Sequence, residues 1–80
     1  MIVKPITSEK AVKQIEIDNT LLFETGRQYT KQEIKREIET LFKVKVEKVR
    51  TFIRENKKFA YVKLNKSNPA IDIATKMGMM

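Results

Sequence analysis

The residues that could do chemistry here are cations and rings. Lys57-Lys58-Phe59-Ala60-Tyr61-Val62-Lys63-Leu64 interleaves aromatic and basic side chains at a spacing of two. On an extended strand Phe59, Tyr61 and Lys63 share one face, and Ala60, Val62 and Leu64 share the other. Cations pair with phosphates and bases stack on rings, so that pattern points to a polyanion, with RNA the first candidate. Two other accounts of the rings stand beside it: a terminal helix covers them, or they pair across strands. The stretch overlaps loosely with an RNP-type signature, but Lys58 stands where that needs Gly and Leu64 where it needs an aromatic ring.

The charge is concentrated around the same stretch. Residues 43–66 carry nine bases (Lys43, Lys45, Lys48, Arg50, Arg54, Lys57, Lys58, Lys63, Lys66) and two acids (Glu47, Glu55), a net of +7. Residues 1–40 carry seven of each sign, so the +7 of the whole chain resides in that one segment. Lys-rich edges also block unwanted strand addition, but a binding face for nucleic acid accounts better for so large an excess.

Catalysis has few residues to use. There is no Cys and no His, which removes thiolate nucleophiles, imidazole bases, disulfides and the usual zinc sites. Glu33, Glu37 and Glu39 lie among Lys and Arg at helical spacings, the pattern of a solvated ion-paired face. With glycine only at 26 and 78, no Gly-rich phosphate loop is available. No cofactor is expected. No secretory h-region or membrane-length apolar run is visible, so the expectation is an intracellular chain without membrane insertion.

Eighty residues, 41% of them hydrophobic, suit one small domain over 1–80. Thr7 to Ile15 reads as a short helix, capped by Thr7 or Ser8, with Ala11, Val12 and Ile15 on its apolar side. Asp18-Asn19 reads as a turn and Thr20–Glu24 as a strand. Gly26 is the expected positive-φ residue of the loop that follows. Thr30-Lys31-Gln32-Glu33 is a capping box, and Ile34, Ile38, Leu41 and Phe42 share one helical face, so a helix is predicted over 31–43. Residues 44–54 alternate as a strand, with a slip between Val46 and Val49 that suggests a bulge. A turn at Glu55-Asn56-Lys57 leads to a strand over 58–64. Asn68 and Pro69 are the expected cap and first position of a last helix, with Gly78 as its stop and Met79-Met80 as a tail.

The predicted fold class is α+β: a two-layer sandwich with a small three-stranded mixed sheet, one central helix and short terminal helices, in a ferredoxin-like or RNA-recognition-like βαββ order. The strand–helix–strand unit is expected to be parallel and right-handed, and the hairpin antiparallel.

Three segments resemble a known family. Pro5-Ile6-Thr7-Ser8-Glu9-Lys10-Ala11 is similar to a Pro-x-x-Thr/Ser-Glu-Lys-Ala motif. Thr30 to Arg36 and Leu41 to Thr51 form a central run of the same kind, and Lys57 to Leu64 a third. Together they resemble the large-subunit ribosomal proteins of the L-twenty-three family, in its short archaeal-type form. Arg50 stands where that family usually has Asn, and Phe59 is an extra residue before Ala-Tyr-Val. The turn at Glu55-Asn56-Lys57 is short where bacterial relatives have a long loop.

The resemblance implies a structural protein of the ribosome in the cytoplasm, bound to large-subunit rRNA near the peptide tunnel exit. It implies neighbouring large-subunit proteins and a docking area for the signal recognition particle or other exit-site factors. No small-molecule substrate is implied. The expected RNA contacts are Lys10, Lys31, Lys35, Lys48, Arg50, Arg54, Lys57 and Lys58. Glu9 occupies a factor-docking position by resemblance, or is simply a charge at the positive end of a helix. Other readings are a non-ribosomal single-stranded RNA-binding module and a basic protein–protein adaptor.

Overall fold

A computed structural model describes residues 3–77. The elements run β1 (Val3–Pro5), α1 (Glu9–Asp18), β2 (Thr20–Thr25), α2 (Lys31–Phe42), β3 (Val46–Arg54), β4 (Lys57–Leu64) and α3 (Ala70–Lys76). The strands form one sheet in the order β1-β2-β4-β3, and every neighbouring pair is antiparallel.

The α+β class holds, but the sheet has four strands rather than three and is not mixed. Val3–Pro5 pairs with β2 from Thr25 to Phe23; three residues are too few for a period-two pattern to register. Strands β2 and β3 do run parallel to each other, but β4 lies between them. The reason is burial. Ala60, Val62 and Leu64 of β4 are fully buried, so β4 takes the centre and the Lys- and Arg-bearing β3 takes the edge.

Ile34 and Ile38 of α2 pack with Leu21, Phe23, Ala60, Val62 and Leu64 in a core that also takes in Ile15, Ala70, Ile73 and Ala74. The capping box forms as expected: the Thr30 hydroxyl accepts from the Glu33 N–H at 3.2 Å, and the Glu33 carboxylate accepts from the Thr30 N–H at 3.1 Å. The helix ends one residue early, at Phe42, because Lys43 turns left-handed at φ 53°. Leu41, expected on the apolar face, is instead 42% exposed.

Helix α1 uses one of its two expected caps and runs further than expected, to Asp18. Ser8 caps it by accepting from the Ala11 N–H at 3.1 Å, and Asn19 ends it in the left-handed region. The predicted bulge is present as a register shift between Val46 and Lys48. The hairpin turn consists of Glu55 and Asn56, both at positive φ (53° and 63°), the pattern of a type I′ connection that matches strand twist. Gly26 is not in the left-handed region; Asn19, Lys43, Glu55 and Asn56 are.

The start of α3 also differs. Pro69 occupies the cap position with no side-chain cap of its own. Asn68 turns away and accepts the Lys45 N–H at 2.9 Å. The first helical N–H, that of Ala70, donates to the side-chain Oδ1 of Asn19 at 2.6 Å. The stop at Gly78 and the Met79-Met80 tail lie outside the described residues.

Candidate nucleic-acid interface

With the bulge placed at Glu47, β3 comes into phase with β4. The sheet face away from α2 then carries four rungs of directly opposed residues: Lys48 with Lys63, Arg50 with Tyr61, Phe52 with Phe59, and Arg54 with Lys57. Two rungs pair like charges, which costs stability across an antiparallel pair. A protein keeps such rungs readily where an external anion neutralises them. Asp18, at the end of α1, relieves one of them from 3.4 Å of Lys63. Both side chains are well solvated, so this ion pair stabilises little. The Arg54–Lys57 rung at the hairpin tip has no ion-pair partner among the described residues.

Between the charged rungs the rings stack. Phe52 lies 5.2 Å from Phe59 at 21° and 5.5 Å from Tyr61 at 29°. The Arg50 guanidinium sits over the ring of its own rung partner, 5.7 Å from the Tyr61 centroid. The rings thus pair across strands, and Phe59 and Tyr61 are half-buried while Phe52 remains 36% exposed. Lys10 and Gln14 of α1 border the face. With Arg50, Phe52 and Tyr61 they line an open hollow of about 380 Å³.

The fold around this face is that of a family. The Ribosomal protein L23 family matches residues 1–71, a span that includes all four strands and the whole basic hairpin. The chain belongs to the L23 family. The large ribosomal subunit protein uL23 of Trypanosoma brucei brucei is 46% identical over 77 residues, covering 95% of this chain and 47% of the relative. The chain therefore spans about half the length of that relative. The L23 family is structural rather than enzymatic.

The eight expected contact residues divide within this L23 fold. Lys48, Arg50, Arg54 and Lys57 share the open face, and Lys10 borders it. Lys31 and Lys35 are exposed on α2, on the other side of the sheet. Lys58 also points to that side; it is half-buried, and its Nζ donates to the Tyr29 carbonyl. Glu9 is exposed in the first turn of α1 and lines a separate hollow with Thr7, Ser8, Val12 and Lys13.

Sequence reasoning missed Phe52 and Gln14. Phe52 was within reach: counting the alternation from the far side of the bulge places it with Arg50 and Arg54. Gln14 was not, because only the packing of α1 brings it to the sheet. Among the described residues there is no group of three or more metal-ligating side chains, and no helix is long and apolar enough to cross a membrane.

Proposed function

We propose that this chain is a structural constituent of the large ribosomal subunit that binds large-subunit rRNA through the β3–β4 face. The reading carries no catalytic step. The observation that supports it most is the set of four rungs, cationic at both ends, on the hairpin of an L23-family fold whose trypanosome relative is named a large-subunit protein. Affinity then comes mainly from Lys and Arg to phosphates and falls steeply with salt.

The finer placement belongs to the same proposal. The chain sits on the cytoplasmic ribosome near the peptide tunnel exit, with neighbouring large-subunit proteins around it. Its two-residue turn supports a short-hairpin form that does not extend into the tunnel. Glu9 stands on the neutral N-terminal half, exposed beside an apolar hollow, and that side is left for exit-site factors such as the signal recognition particle.

Sedimentation of the endogenous protein through a high-salt gradient tests the reading. The expected result is co-migration with the large subunit, lost on RNase digestion. A protein that keeps its partner after the RNA is gone is a protein–protein adaptor, and the rRNA reading fails.

A further inference from the structure

The hollow between α1 and the ring stack is larger than phosphate binding requires. Its volume is about 380 Å³ and it is lined by Lys10, Gln14, Arg50, Phe52 and Tyr61, within the size range of pockets that hold small ligands. One wall is aromatic, ending in a planar guanidinium. Gln14 of α1 also lines it, with an amide that both donates and accepts hydrogen bonds. A second hollow of about 190 Å³ adjoins it, sharing Arg50 and Tyr61 and adding Asp18, Thr20, Lys48 and Lys63. There the Asp18 carboxylate is taken up by Lys63 at 3.4 Å, which leaves Lys48 and Arg50 as the available cations.

We infer that these adjoining hollows take one unstacked nucleotide of single-stranded RNA, its base against Phe52, Tyr61 and Arg50 and its phosphate on Lys48 and Arg50. The inference rests on the rRNA-binding reading and specifies which part of the RNA this face holds: a bulged or looped-out nucleotide rather than a duplex. Phosphates of a helix need only cations, and for them three rings on the open face are a burden. A splayed base uses rings and guanidinium planes as stacking surfaces. The Gln14 amide supplies a donor and an acceptor for the base edge, and the charge of the rungs complements the flanking backbone.

The chain has two tyrosines, so Tyr29→Phe leaves Tyr61 as the sole tyrosine fluorophore. The 80-residue chain carrying that change is titrated with a short oligoadenylate and with an RNA duplex of equal charge. Oligoadenylate is expected to quench Tyr61 and to bind more tightly than the duplex. Phe52→Leu and Arg50→Lys each weaken oligoadenylate roughly 5- to 100-fold, the range that base stacking supports. Arg50→Lys keeps the charge, so the loss isolates the planar surface from the ion pair. Melting curves accompany each variant, and if Phe52→Leu melts early, Arg50→Lys and Gln14→Ala carry the comparison. Equal binding of duplex, an unquenched Tyr61 and variants that bind like the parent overturn the nucleotide site while rRNA binding itself persists. If the parent binds no RNA at all, the rRNA reading falls and the site falls with it.

Discussion

The Asn19 side chain accepts the Ala70 N–H at 2.6 Å, across fifty-one positions of chain. Asn19 thus provides the cap that Pro69 cannot, on a helix whose own N-cap makes no side-chain bond. Its Nδ2 also donates toward the carbonyls of Leu64, Asn65 and Asn68, each at 3.2 Å. Its own backbone is left-handed at φ 51°. One residue therefore ends α1, holds the exit of β4 and starts α3.

Asn19→Ala is expected to lose about 2–3 kcal/mol, from a part-buried N–H left unpaired and a left-handed backbone that Ala tolerates poorly. Asn19→Gly removes the backbone cost but not the lost bonds, so it falls between the two. Urea midpoints of the three proteins give the order. If Asn19→Ala unfolds at the wild-type midpoint, Asn19 does not hold these elements together.

The hairpin turn is built from residues ill suited to it. Type I′ turns favour Asn-Gly because both positions need positive φ, whereas this chain places Glu55 and Asn56 there. Glu55→Asn combined with Asn56→Gly should stabilise the fold by about 1 kcal/mol. For a domain of this size that raises the melting temperature by roughly 4–8 °C. Thermal denaturation followed by circular dichroism reads it directly, and RNA affinity should rise slightly, since Glu55→Asn removes one of the two acids of the basic segment beside the Arg54–Lys57 rung.

The capping box offers a second stability test with a known scale. Thr30→Ala removes the acceptor of the Glu33 N–H and should cost about 1 kcal/mol. Glu33→Gln retains the reciprocal bond to the Thr30 N–H and is expected to cost less. Chemical denaturation of both variants checks the order, and the reverse order would mean the Glu33 charge matters more than the box.

These local devices were legible before the fold was. Thr30 and Glu33 lie three residues apart, so their bond follows from spacing alone. The faces of β4 were legible for the same reason, since Ala60, Val62 and Leu64 alternate cleanly with Phe59, Tyr61 and Lys63. What could not be read has long-range partners. Asn19 looks like an ordinary turn residue until Leu64, Asn68 and Ala70 arrive beside it. The central position of β4 depends on which strand needs burial on the helix side, and the sequence order alone suggested β2 beside β3. Charge counts do not distinguish the two faces of a sheet, so the position of Lys31, Lys35 and Lys58 on the helical side rather than with the four rungs was not legible either.

That division gives the sharpest test of the binding face. If RNA lies on the four rungs, Arg54→Ala and Lys57→Ala each remove one phosphate contact and lower the magnitude of the salt slope by about 1. Lys31→Ala and Lys35→Ala, on α2, should leave slope and affinity unchanged. Lys58→Ala should act differently from both groups. Its Nζ bond to the Tyr29 carbonyl is worth about 1–2 kcal/mol as a charged donor, so stability drops while the slope stays. Fluorescence anisotropy with an rRNA fragment over a series of salt concentrations measures the slopes, and urea melts measure the stabilities. A slope that falls for Lys31→Ala and Lys35→Ala but not for Arg54→Ala and Lys57→Ala would move the interface to the helical side and reverse the assignment of the open face.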